Sequence, residues 1–159
     1  MTDTFAPEPE EAIASALVAR LAAVCTVPVG GALTPVLSGA VKSLSSDTYV
    51  TAAVDVASQE MDAPSPAYLF TYTATVAVRF SLADDASGNG FRDECRRVRS
   101  ALAALTGDGC DALSTATFGC DSFQLTNTTT TFEGDDNPAH LKTYSATIYG
   151  RVITPTPNN

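Results

Sequence analysis

Residues 68–105 read YLFTYTATVAVRFSLADDASGNGFRDECRRVRSALAAL, and the change of period within them decides the fold. From Tyr68 every second residue is apolar (Tyr68, Phe70, Tyr72, Ala74, Val76, Val78, Phe80, Leu82), with Thr71, Thr73, Thr75, Arg79 and Ser81 between them. That is the two-residue period of a strand with one buried face. Asp84 to Gly90 breaks the pattern, and Phe91, Cys95, Val98, Leu102 and Leu105 then recur at helical spacing. A half-buried sheet needs such a helix over its apolar face, so the stretch predicts an α+β domain.

Toward the N-terminus, Pro7-Glu8-Pro9-Glu10-Glu11 reads as a helix start, with proline tolerated in the first turn and acids favoured by the helix dipole. Ile13, Leu17, Leu21 and Val24 make one stripe, and Pro28 ends the helix. Residues 29–46 are rich in glycine, serine and proline and are expected to be a connection. Thr48 to Ala57 alternates again and should pair with the long strand, across a proline-containing loop from Ser58 to Pro66 that is too long for a tight hairpin. Within that loop Gln59, Glu60, Met61 and Asp62 form the segment expected to reach a neighbouring molecule.

Toward the C-terminus, Thr106-Gly107-Asp108-Gly109 closes the second helix. An extended segment from Thr115 to Phe132 follows, with Phe118, Phe123, Leu125 and Phe132 as apolar anchors. Its threonine run, Thr128 to Thr131, favours strand through branching at Cβ but has no apolar face, which suits a sheet edge. Leu141 to Ile153 is a final strand with Tyr144, Ala146, Ile148 and Val152 inward. The expected architecture is a mostly antiparallel sheet of about four strands with two main helices packed on one face. A flexible start (1–7), a single domain (8–153) and a flexible tail (154–159) complete the expected layout.

Acidic residues outnumber basic ones 18 to 9, for a net charge of −9. Phosphate backbones and anionic membranes repel such a chain, so direct nucleic-acid or membrane binding is not expected. The N-terminus lacks the basic start and apolar run of a signal peptide, and no stretch reaches about 18 apolar residues, so a soluble cytosolic protein is expected. Cys25, Cys95, Cys110 and Cys120 contain no C-x-x-C pair, and His140 is the single histidine, so no metal site is expected. Glu133, Asp135 and Asp136 lack the calcium-loop pattern. With one histidine, no nucleophile elbow and no phosphate loop, neither an enzyme nor a cofactor is expected.

The basic residues are not evenly spread. Arg92, Arg96 and Arg99 recur at i, i+4 and i+7, with Arg97 adjacent, so four of the nine lie within eight positions. Such a row is either a solvated helix face or a patch that meets an acidic surface of another subunit.

The order helix, connection, two long strands, helix, two further strands, with a late acidic turn running into His140-Leu141-Lys142-Thr143-Tyr144 and a closing Ile148-Tyr149-Gly150-Arg151-Val152, resembles the tail terminator (tail completion) proteins of long-tailed bacteriophages and related tail-like particles. The resemblance spans about residues 8–153. It implies a virion protein of the tail or neck, assembled in the bacterial host cytoplasm. Its subunits would form a ring, a hexamer in that family, that caps the tail tube protein, ends its polymerisation and offers the joining surface to the head-tail connector, with DNA passing through. It carries over no catalytic, cofactor or metal residues. On this reading Arg92, Arg96, Arg97 and Arg99 belong to a subunit interface, and Gln59, Glu60, Met61 and Asp62 touch the tube or connector. Competing readings are another head-tail connector or a tail tube subunit, and, in a different class, a small cytosolic enzyme or an adaptor that binds by strand addition.

Overall fold

The computed structural model describes residues 9–32, 48–60, 67–85, 87–114, 118–134 and 138–153. In chain order these form helix α1 (Pro9–Val24), strand β1 (Val29–Ala32), strand β2 (Tyr49–Glu60), strand β3 (Ala67–Ser81), helix α2 (Asn89–Ala103), a 3-10 helix (Gly107–Leu113), strand β4 (Phe118–Glu133) and strand β5 (Ala139–Ile153). The sheet order is β1-β2-β3-β5-β4, with β1 parallel to β2 and every other neighbour antiparallel. The expected α+β class and mostly antiparallel sheet are therefore present.

The sheet has five strands among the described residues, not about four. The added strand is β1, at the start of the stretch expected to be a connection. Its sequence, Val29-Gly30-Gly31-Ala32, has weak strand propensity. Glycine is needed there because a Cβ on Gly31 would lie 2.5 Å from Val18 of α1 and 3.0 Å from the Ala52 carbonyl. Helix and strand approach too closely for a side chain between them. Residues 33–47 and the loop residues Met61 and Asp62 lie outside the described residues, whereas Gln59 and Glu60 extend β2, opposite Phe70 and Leu69 of β3.

Alternation separates the two sheet faces. Val50, Ala52 and Val54 of β2, Tyr72, Ala74, Val76, Val78 and Phe80 of β3, Tyr144, Ala146 and Ile148 of β5, and Phe118 and Phe123 of β4 are buried in one core with Ile13, Leu17 and Leu21 of α1 and Phe91, Cys95, Val98 and Leu102 of α2. Tyr72 and Phe118 meet edge to face at 5.4 Å. Leu105, Cys110 and Leu113 close the end of this core, the last two from the 3-10 helix. The opposite face carries Thr51, Thr73, Thr75, Thr143, Ser145, Thr147, Gln124, Asn127 and Thr129 at paired register positions. Its ion pairs, Arg79 with Glu133 and Arg151 with Asp121, both 3.4 Å, sit toward its two ends.

Three expected apolar anchors behave differently. Leu125 and Phe132 are 37% and 57% exposed, and Val24 at the end of α1 is also exposed. β4 has two bulges, at Cys120/Ser122 and Leu125/Asn127, and between Gln124 and Phe132 every residue is exposed.

A Cβ on Gly150 would overlap the Phe118 ring and lie 2.5 Å from the Gly119 carbonyl, whereas one on Gly134 meets nothing nearer than 3.6 Å. Gly150→Ala should therefore lower unfolding free energy by about 1–3 kcal/mol in urea titrations, with Gly134→Ala close to neutral.

Candidate functional site

The site is built on α2. A helix starting at Asn89 needs acceptors for its first amides, and its N-cap, Gly88, has no side chain to offer. Asp85 supplies one instead, accepting the Phe91 amide at 2.8 Å. Asp84 accepts from the Thr48 hydroxyl at 2.6 Å, and that hydroxyl accepts the Ser81 amide at 3.0 Å. The turn between β3 and α2 is thereby tied to the start of β2, which fixes where the helix begins.

The rotation of α2 is set from its buried side. Phe91, Glu94, Cys95, Val98 and Leu102 are buried, and Glu94 is a fully buried carboxylate. Its Oε1 accepts the Thr26 amide at 2.9 Å, and its Oε2 accepts the Thr26 hydroxyl at 2.5 Å and Arg97 Nη1 at 3.2 Å. A buried charge is tolerated only with such partners, and the two from Thr26 tie α2 to the chain leaving α1. Arg97 is thus turned inward between the helices.

Arg92 and Arg99 lie on the other side of α2 from Arg97, and Arg96 stands between, sharing a groove beside α1 with Arg97 and Arg20. Arg92, Arg96 and Arg99 line a cleft of about 250 Å³ with Phe91 and Cys95 of α2, Lys142 and Tyr144 of β5, and Thr130 of β4. The Tyr144 hydroxyl donates to the Cys95 carbonyl at 3.1 Å, so the ring is a fixed floor. Lys142 lies over that ring at 5.6 Å. Beside the cleft, His140 stacks on Phe91 at 5.3 Å and meets Phe132 edge-on at 5.5 Å.

Four cations thus converge on one opening, and only Arg96 has a carboxylate partner among the described residues, Asp93 at 3.2 Å. Both members of that pair are exposed, so it neutralises little. The arrangement suits anionic groups, above all carboxylates that accept two guanidinium hydrogens at once. No group of three or more histidine, cysteine, aspartate or glutamate side chains placed to hold a metal occurs among the described residues. No protein-family model and no curated protein matches the chain.

The row of arginines was evident in the sequence; its sheet-side partners Lys142, Thr130 and Tyr144 were not read as part of a site. Strand period does contain the signal, since Lys142 shares the inward face with Tyr144, Ala146 and Ile148. Glu94 was missed too, although it stands three residues after Phe91 and four before Val98, on the buried stripe.

The two sides of α2 should separate by mutation. Arg97→Ala should cost about 1–2 kcal/mol, less than for a fully buried pair because Arg97 is 41% exposed, whereas Arg92→Ala and Arg99→Ala should each stay within about 0.5 kcal/mol. Denaturant midpoints of the three variants check this.

All four cysteines are free thiols. Burial, reinforced by a hydrogen bond to Glu94 and its charge, pushes the Cys25 thiol up to about 12 from an ordinary 9.0. Burial and the neighbouring Cys110 push Cys120 up to about 12, and burial raises Cys95 and Tyr144 as well. Unfolded thiols ionise first as pH rises, so the stability these neutral groups contribute is complete below about pH 9 and falls between about 9 and 12. The urea midpoint should decline across that window, and less steeply in Cys25→Ala.

Proposed function

We propose that this chain is a structural subunit of a ring that caps the tail tube of a long-tailed bacteriophage or related particle, ends tube polymerisation and provides the head-tail joining surface. The observation that carries the reading is the cationic cleft of Arg92, Arg96, Arg99 and Lys142 on a chain of net charge −9. A ring closes through heterologous contacts, so each subunit must present two unlike surfaces that fit one another. A basic cleft on an acidic body meets that need, because an identical neighbour supplies the acid. The hydroxyl-rich face of the sheet and the overall negative charge suit a wall that DNA passes without adhering. A second reading, an adaptor that binds another protein by strand addition, is favoured by β4 standing at the sheet edge.

Arg96→Glu with Arg99→Glu tests the ring. Light scattering after size exclusion should show the parent as a discrete oligomer whose population grows with concentration. The double variant should be monomeric, with an unchanged far-ultraviolet spectrum. Oligomers of parental mass in the variant would reduce the arginine row to a solvated face, and an adaptor would stay monomeric in both forms.

A further inference from the structure

Among the described residues the outer strands of the sheet are β1 and β4, each without a second partner strand. Open edges are templates for further pairing, and chains that keep them apart place lysine, proline or other charges on them. Neither edge is protected in that way. Residues 122–132 of β4 carry no charge and no proline, and every residue from Gln124 to Phe132 is exposed. β1 lies within another run without charge, residues 21–41. In a chain where charged residues make up 17%, both edges coincide with uncharged runs.

The registers relate these edges to each other. Reading across the sheet, Val29 is level with Val50, Val78, Lys142 and Thr130, and Gly30 with Thr51, Ala77, Thr143 and Thr129. Gly31 is level with Thr128, and Ala32 with Asn127. The four residues of β1 thus lie at the height of Asn127 to Thr130, the regular run after the second bulge. Strand direction alternates from β2 through β3 and β5 to β4, and β1 runs with β2, so β4 and β1 run in opposite directions. A copy rotated about an axis along the strands therefore brings its β1 against β4 in antiparallel sense and at matching height.

We infer that β4 pairs with β1 of a second copy, making one sheet continuous between neighbouring subunits. The inference rests on the ring reading. α1 lies over β1 and β2, on the same side of the sheet as α2, and a copy added at β4 carries its α1 over the uncovered positions Thr128, Thr130 and Phe132. Three strand spacings of about 4.8 Å separate the neighbour's α1 from α2 by about 14 Å. Direct helix packing needs 8–10 Å, so the gap is one for long side chains to bridge. Arg92, Arg96 and Arg99 line the cleft on the α2 side of that gap.

Cysteine cross-linking tests the pairing in the full chain. Gly30 and Thr129 both stand on the open hydroxyl face at the same height, away from the core. In a Cys25→Ala background, Gly30→Cys with Thr129→Cys, treated with a short bismaleimide at a concentration where the parent is oligomeric, should yield a covalent ladder from dimer up to the full ring. The Cys25→Ala background alone and each single variant in it should yield none. Cross-linked dimers from Thr129→Cys alone would overturn the inference in favour of a two-fold β4 contact. Oligomers of parental mass without a ladder would overturn the edge pairing and leave the ring reading standing. A parent that is monomeric at every concentration overturns both, with the strand-addition adaptor then the surviving use of β4.

Discussion

The Glu94 carboxylate is the interaction on which the arrangement of the helices depends. It has no solvent to stabilise it, and an ionised carboxylate in such a place is sustained only by donors aimed at it. Two of those donors come from Thr26, in the chain leaving α1, and one from Arg97 on its own helix. This geometry allows one rotation of α2 about its axis. In that rotation Arg97 is held against the carboxylate, Arg92 and Arg99 are left beside the open half of the sheet, and Arg96 stands between the two grooves. A neutral apolar residue at position 94 would fill the space, but it would not specify which arginine turns inward. The carboxylate therefore contributes specificity at least as much as stability, as buried charged networks do elsewhere when they select one packing over another.

The sheet carries a second constraint, a difference between its faces. One face is aliphatic and aromatic and is covered as far as the helices extend. The other is tiled with hydroxyl and amide groups, with its ion pairs toward its ends. Threonine suits both demands of such a surface: its branched Cβ favours the extended backbone, and its hydroxyl keeps the face wet without fixing a charge. The helices cover the sheet unevenly, ending short of the second half of β4. That gap leaves Leu125 and Phe132 exposed, keeps the arginine cleft open on one side, and leaves the edge of β4 accessible. One deficit of helix thus produces all three features.

Much of this was legible from the sequence, for a physical reason. The long β3 strand and α2 have strong, clean periods, and burial of one face is the only economical use of such periods, so their positions and inward residues could be read directly. The threonine run at Thr128 to Thr131 could be placed at an edge because it has no apolar side, and β4 does stand at the edge. β1 could not be read, since Gly30 and Gly31 are chosen for the close passage of α1 rather than for strand propensity, and propensity was the available signal. Leu125 and Phe132 were expected inside because apolar character was taken as burial; they lie in the exposed run of β4 from Gln124 to Phe132. The cleft was half visible. Its helix side is local in sequence, while Lys142 and Thr130 join it through strand pairing between segments far apart in the chain, which a single sequence does not display.

In the proposed ring the charge distribution would also constrain how copies meet. Bodies of charge −9 repel at distances beyond the Debye length of about 8 Å only weakly at physiological salt, and more strongly when salt is low. Contacts between a guanidinium and a carboxylate a few ångströms apart are screened much less where they are partly buried. Moderate salt therefore removes more of the repulsion than of the attraction. Apolar and backbone contacts at an uncharged edge are not weakened by it. An assembly built from a neutral edge and a local basic cleft on an acidic body is thus favoured by the ionic strength of a cell. It disfavours any approach that does not bring the cleft and the edge into register together.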